Sequence, residues 1–437
     1  MLNRVLFQRM DNSPLIIFRM FFGILVALEC FGAIATGWVY RNMIEPSHHF
    51  PFIDVQWLRP LPGSGMYVYF AVMGLLGLCI AVGFRYRASI IAFTVLWTAT
   101  YLMQKTAYNN HYYLLVLIAS LMCFLPAERS HSVDVRLNPA LKSDAMYGYV
   151  KWIIVAQLLI VYVYASVAKM YGDWLNFSMI AILMRPRKEY LLVGELLQQP
   201  WVHSIIGTAG ILFDLLIVPA LLWRPTRKLA FVLSIFFHLF NSIVFQIGIF
   251  PYLSLAFCVF FFDPETIRSL FFKSKKPFLS AKIDVPPNSK SILWALSLYF
   301  IVQLVLPLRH YAFTDDVLWT EEGHRMSWRM MLRSRTGKGT FKVIDKKTDQ
   351  AFTIDPKDYL TKSQERKVFS YPDFAWQFAQ HLKEDFREKD MEVAVHLINS
   401  KLSVNGKPYR PFIDPKTDLA ATPWSRLRHH DWILPSK

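Results

Sequence analysis

Charge is scarce in this sequence: Asp, Glu, Lys and Arg make up 18% of its 437 residues, while 54% are hydrophobic. That balance excludes an ordinary soluble enzyme and describes a chain solvated largely by lipid. Cysteine is scarcer still. Cys30, Cys79, Cys123 and Cys258 all fall inside apolar runs and form no Cys-x-x-Cys pair, which argues against an extracytoplasmic disulfide and a thiolate metal site. There is no His-Glu-x-x-His, no Gly-x-Ser-x-Gly, no phosphate-binding Walker loop and no Gly-x-Gly-x-x-Gly opening a helix. The pairs His48-His49 and His429-His430 are sequence neighbours, not one-turn partners, so no metal site is expected.

Long apolar runs are abundant. A spanning helix needs about 20 mostly apolar residues. The hydropathy pattern predicts nine spans, near 14–40, 65–84, 88–103, 111–125, 148–168, 202–223, 229–247, 249–262 and 291–309. The expected fold is therefore a polytopic α-helical membrane protein over residues 1–310, followed by an extracytoplasmic β-rich domain over 311–437. In that tail, "TFKVID" and "AFTID" alternate in polarity around "KKTDQ", a hairpin pattern. A helix is expected near Pro372 to Lys389, with Phe374, Phe378 and Leu382 on its apolar face, and a second hairpin signal closes at Asn405-Gly406.

The formal net charge of +16 is a topology signal more than a nucleic-acid one. Basic residues crowd alternate loops: Arg4, Arg9, Arg85, Arg87, Arg129, Arg136, Lys142, Arg224, Arg227, Lys228, and then Arg268, Lys273, Lys275, Lys276, Lys282 and Lys290 in the proline-containing loop before the last span. The intervening loops hold only Arg41, Arg59, Lys105, Arg185, Arg187 and Lys188. The positive-inside rule then places the N-terminus in the cytoplasm and the tail domain in the periplasm or lumen. The amphipathic start "MLNRVLFQRMDN" reads as an interfacial lead-in to the first span.

Ionisable groups at membrane depth are costly and usually face a bundle interior. Here they are Arg19, Glu29, Lys169, Asp214 and His238, with Gln157 and Asn241 as neutral companions. Internal pairing accounts for Arg19, Glu29 and Asp214. Lys169, at the end of "YVYASVAKM", has two readings: an interfacial lysine snorkelling beside Asp173, or a desolvated amine base. The second gains weight because His111, His310 and the Asn241-Ser242 pair fall at the same membrane leaflet, beneath the tail, with His238 on the same helix as that pair. Such a pocket has apolar walls and a few polar points. The stretch "DDVLWTEEGHRMSWRMMLRSRTGKG" reads either as an interfacial anchor belt or as a lid of flat, polarisable side chains over a hydrophobic ring.

The segments "WLRPLPGSGMYVYFAVMGLLGL", "KTAYNNHYYL", "HSVDVRLN", "VYVYASVAKMYGDW", "FFHLFNSIVFQIGIFPY", "LRHYAFTDDVLWTEEGHRMSWRMMLRSR" and "PFIDPKTDL" resemble, in order, the vitamin K-dependent γ-glutamyl carboxylases. The resemblance implies a membrane enzyme in which reduced vitamin K (phylloquinol or menaquinol) is deprotonated and reacts with O2. The resulting strong base removes a glutamate γ-proton, and CO2 adds to give γ-carboxyglutamate and vitamin K epoxide. By position it implies Lys169 as the base for the hydroquinone and His111 as the stabiliser of the reacting centre. Asn110, His238, Asn241, Ser242, His310, Trp319, His324, Trp328, Met330 and Met331 are implied to line the quinone pocket. It implies a glutamate-containing protein or peptide as substrate, the lipid bilayer as surroundings, a quinone reductase for recycling, and no metal or nucleic acid. Animal members carry tyrosine where this chain has His324, carry a disulfide to the tail that this chain does not form, and continue past Lys437, so the chain resembles a shorter, bacterial-type member. Two other readings stand beside it: a quinone epoxidase without glutamate carboxylation, and a non-catalytic lipid- or quinone-binding membrane protein.

Overall fold

The computed structural model describes residues 2–278 and 283–437, so Lys282 lies outside the described residues. Its helical part runs α1 (Ser13–Ala35), α2 (Gly65–Val82), α3 (Tyr86–Met103), α4 (Asn110–Met122), α5 (Gly148–Ala168), α6 (Pro200–Leu222), α7 (Arg227–Phe240), α8 (Phe250–Phe257), α9 (Pro264–Phe271) and α10 (Ser289–Val305). All nine expected apolar stretches are helical, but the count of nine spans is not confirmed. Among the described residues, six helices are long and apolar enough to cross a membrane, or seven if the pair from Phe250 to Phe271, bent by 114°, is one span. The difference has physical causes. Helix α3 is diluted by Arg87, Thr94, Thr98 and Thr100, and α4 has 13 residues. At 1.5 Å per residue, α4 reaches about 20 Å, short of a hydrocarbon core of about 30 Å.

Small residues let the first two helices touch. A Cβ on Gly23 of α1 would lie 2.6 Å from the Gly77 carbonyl oxygen of α2. Backbones at this distance gain dispersion contacts that substitute for the hydrophobic effect inside lipid.

The basic loops gather at one end of the bundle. There β1 (Arg9–Asp11) pairs antiparallel with β2 (Ala145–Tyr147), and Lys275 Nζ donates to Asp11 Oδ1 and Asn12 Oδ1, each at 2.7 Å. Arg19 is fully buried and donates to the carbonyls of Ala127 at 2.9 Å and His131 at 2.6 Å. Its internal partners are thus backbone oxygens.

The tail domain sits at the opposite end. Strands β3 (Arg335–Asp345), β4 (Ala351–Ile354), β5 (Val393–Val404) and β6 (Arg410–Pro411) form an antiparallel sheet in the order β4-β3-β5-β6. Alternation turns Phe341, Val343, Val395 and Leu397 inward, and the register sets Phe341 against Leu397 and Val343 against Val395. Helix α11 (Lys362–Ser370) opens with a Thr361/Gln364 capping box. Helix α12 (Pro372–Arg387) lays Phe374, Phe378, Leu382 and Phe386, spaced by four, into the core. Both hairpins read from the sequence form, as β3-β4 and β5-β6.

This core does not stop at the sheet. One buried cluster joins Phe341, Phe378 and Leu397 to Phe50, Trp174, Met179 and Ile180 of the helical part. Polar contacts lock the same junction: Asp173 accepts from Asn405 Nδ2 at 2.9 Å and pairs with Lys407 Nζ at 2.8 Å. We expect Asp173→Ala to weaken tail docking by about 1–3 kcal/mol, because it strands a buried amide and a cation. The measurement is protease release of the tail from the purified chain; an unchanged release rate would remove Asp173 from the junction.

Candidate functional site

Where the tail meets the bundle there is a cavity of about 270 Å³. From the helical part it is lined by the turn before α4 and by Ile247; from the tail, by His324, Met330, Met331, Tyr371 and Phe374. Helix α4 starts here because Asn109 caps it, its side chain accepting from the Tyr112 amide at 2.7 Å. That cap brings Asn110 and His111 to the cavity wall. Both His111 ring nitrogens are buried and lack a hydrogen-bond partner among the described residues, and its ring lies 4.1 Å, centroid to centroid, from Phe250. A buried, unsatisfied imidazole is costly unless a ligand completes it.

The charge in this wall is one-sided. Lys105, Arg325, Arg329, Arg333 and Lys367 all line the cavity. Two carboxylates lie behind them: Asp373 joins Lys105 and Arg325, while Glu321 joins Arg333 and Arg335. Burial works against the charge on Asp373, but Arg325 and Lys105 outweigh it and hold its carboxyl well below the usual carboxylate range. His324 is held in the opposite sense. Its burial, reinforced by Arg333, Arg329, Arg325 and Arg335, keeps its imidazole well below the usual histidine range and so neutral. Cations outnumber anions here, and the cavity favours an anionic ligand.

The loop carrying Arg325, Arg329 and Arg333 is strained. Glu321, Met326, Trp328 and Met331 adopt positive φ, a region that bulky residues avoid at a cost of about 1–3 kcal/mol each. The helical part holds it there. Tyr108 Oη accepts from the Met326 amide at 2.7 Å, Asn110 Nδ2 donates to the Arg329 carbonyl at 3.4 Å, and Arg309 and Tyr171 donate to the carbonyls of Arg325 and Leu332. Gly323, at φ +72°, passes so close to His310 that a Cβ would lie 2.7 Å from the His310 Cα.

Of the residues singled out from sequence, the structure gathers Asn110, His111, His324, Met330 and Met331 around this cavity. The others lie elsewhere. His238 lines a smaller void within the bundle and meets Tyr162 Oη at 3.2 Å; its ring is 6.0 Å from that of Phe250, which also faces His111. Trp319 packs against Phe412 and donates to the Leu434 carbonyl at 2.7 Å, while Trp328 packs against Tyr113. Asn241 opens a wide turn after α7, and Ser242 meets Tyr252 Oη at 2.9 Å. His310 Nδ1 meets the Pro307 carbonyl at 2.8 Å. Lys169 is buried, and its ion-pair partner is Asp214 of α6, not Asp173.

Sequence reading missed Lys105, Arg325, Arg329, Arg333, Lys367 and Asp373 as parts of one site. Their signal was present as a run of arginines after a short aromatic segment, but Lys105 and Asp373 are separated by 268 positions.

Apolar helices packed beneath a strand-containing tail, with a basic cavity between them, define a multi-pass membrane protein with a site at its surface. The comparisons with known families agree: the HTTM domain matches residues 7–265, more than half of the chain, and the vitamin K-dependent gamma-carboxylase lumenal domain matches residues 288–437. The chain belongs to the vitamin K-dependent gamma-carboxylase family, and the carboxylase function is supported at the level of that family. No solved structure matches it.

Proposed function

We propose that the chain is an integral-membrane γ-glutamyl carboxylase that couples oxygenation of reduced vitamin K to carboxylation of glutamate in a protein or peptide, consuming O2 and CO2. The observation that carries this reading is the junction cavity, where the unsatisfied His111 imidazole faces a wall of cations. A carboxylate-bearing substrate suits the cations, and a flat lipophilic ring suits Met330, Met331 and Phe374. The volume is near the lower end for small-molecule sites, about 300–1,000 Å³, so it accommodates a ring system and leaves an isoprenoid tail to the lipid-facing helices.

His111 and Asn110 are the groups we assign to the quinol oxygens, with Met330 and Met331 against the ring. When bound with O2, the quinol supplies the strong base that a glutamate γ-proton requires. Lys169 accepts a proton at Nζ to start the sequence. It does not line the junction cavity: the Phe250 ring packs between His111 and His238, and His238 meets Tyr162, two turns of α5 before Lys169, so this role requires one quinol hydroxyl to reach Lys169 from the bundle side of Phe250. Neutral His324 provides a hydrogen-bonding group without adding charge. His238, Asn241, Ser242, His310, Trp319 and Trp328 act in this reading as supports around the site.

The division at residues 310/311, a cytoplasmic N-terminus and a periplasmic or lumenal tail belong to the same proposal. Their support is the gathering of basic loops at the end opposite the tail. A membrane quinone reductase is the expected recycling partner.

The deciding assay supplies the purified chain with phylloquinol or menaquinol, O2, labelled CO2 and a short glutamate peptide. We expect epoxide and labelled peptide together, with both lowered at least about 100-fold in His111→Phe. Epoxide without label would replace the carboxylase reading with a quinone epoxidase, and neither product would leave a binding protein.

A further inference from the structure

We propose that Asp214 is the positioning residue for Lys169 and the group that takes the lysine's proton before Lys169 acts as a base. This rests on the reading of Lys169 given above. A lysine with its proton in place is an acid, so its role requires somewhere for that proton to go.

The geometry provides it. Lys169 ends α5, and its Nζ donates to the Asp214 carboxylate and, at 3.4 Å, to the Ala165 carbonyl. The two side chains are only 10% and 7% exposed. Helices α5 and α6 are held together here by the Ser166 hydroxyl, which donates to the Ile211 carbonyl at 3.0 Å. From the tail side Trp174 closes the pair: its ring lies 5.4 Å from Lys169 Nζ, and its indole nitrogen donates to the Gly207 carbonyl at 3.0 Å. Toward the bundle interior, Ile217, Val218 and Leu221 of the same α6 line the apolar void beside His238.

Other titratable groups nearby are engaged elsewhere. Asp173 on the following short helix holds Asn405 and Lys407, and Tyr171 donates to the Leu332 carbonyl. Tyr162 on α5 meets His238 of α7, and His203 on α6 meets the Leu197 carbonyl at 2.8 Å. Among the described residues, Asp214 is the carboxylate that pairs with the amine.

A buried ion pair at membrane depth is expensive to separate but inexpensive to neutralise internally. The proton moves from Lys169 Nζ to the Asp214 carboxylate along their hydrogen bond, leaving an amine and a carboxylic acid with no change in total charge. The amine then accepts a hydroxyl proton from the quinol. Negative charge stays on that quinol oxygen, and the new ammonium balances it.

The test reads the lysine directly, without quinone. The detergent-solubilised full chain is pulsed with acetic anhydride across a pH series, and acetylation of Lys169 is followed by peptide mass spectrometry. In Asp214→Asn the ammonium loses its counter-charge, so we expect the labelling midpoint to fall by about one to three pH units. Labelling at neutral pH then rises about tenfold or more. Asp214→Glu keeps the charge and is expected to restore the wild-type midpoint. An unchanged midpoint in Asp214→Asn, or an equal fall in Asp214→Glu, overturns the proposal. Lys105, buried at the tail junction, reports folding in the same spectra. If its protection is lost in Asp214→Asn, Asp214→Glu decides alone: wild-type labelling supports the pairing, and altered labelling of Lys169 with Lys105 still protected overturns it. Carboxylase activity retained in Lys169→Arg would overturn the base reading while leaving this pairing result intact.

Discussion

Lys169→Arg is expected to lower epoxide formation and CO2 incorporation together by about 10²–10⁴-fold, the usual contribution of a positioned proton-transfer group. Arginine is the informative replacement. Lys169→Ala leaves Asp214 as a buried carboxylate without its ion-pair partner, and breaking a buried pair costs about 3–5 kcal/mol, so lost activity there mixes chemistry with folding. A guanidinium keeps the positive charge beside Asp214 but does not deprotonate in a protein, so it retains the pair and removes the base. Quinol-dependent epoxide release, measured on protein with wild-type thermal stability, checks the prediction. Near-normal turnover in Lys169→Arg would show that the amine is structural, and would assign the proton transfer to another group.

The bundle and the tail were legible in different ways. Apolar length marked nine helical stretches, because lipid leaves a backbone no other means of satisfying its hydrogen bonds, but it did not mark α9, which falls in the basic stretch read as a loop before the last span. In the tail, alternation identified β3 and β5, and four-residue spacing identified α12. The site was legible only in part. Lys169 stands out as a polar group closing an apolar run and His111 as one opening a span, but Asp214 does not stand out as the partner of Lys169. Sequence proximity favours Asp173, yet the chain turns extended at Tyr171, φ −135° and ψ 163°, which carries Asp173 toward Asn405 and leaves Lys169 facing α6. The resemblance implies Trp319 and Trp328 as pocket walls, whereas here they pack against Phe412 and Tyr113. No local pattern reports the left-handed backbone at Met326, Trp328 and Met331. Bonds from Tyr108 and Asn110, more than 200 positions away, help to impose it.

Asp373→Ala is expected to be the most destabilising single change at the junction. The residue sits at the start of α12, buried, and satisfies Lys105 from the helical part and Arg325 from the strained loop at once. Removing it leaves two buried cations facing Lys367 and Arg333, with Glu321 already engaged by Arg333 and Arg335, at a cost of about 3–5 kcal/mol. Asp373→Asn keeps the volume and loses the charge, so it separates electrostatics from packing and should recover little stability. The pH dependence follows from the depressed carboxyl of Asp373. A carboxylate held below its unfolded value contributes fully above that value, about 3.9, and loses its contribution as pH falls through its folded one. Wild-type docking should therefore hold from neutral pH down to about pH 4 and weaken progressively below it, toward the depressed folded value. Asp373→Asn should be weaker throughout and lack that acid limb. Protease release of the tail across a pH series reads both effects, and an acid limb that persists in Asp373→Asn would move the responsible charge to the other junction carboxylates, Glu321 with its arginines or Asp173 with Lys407.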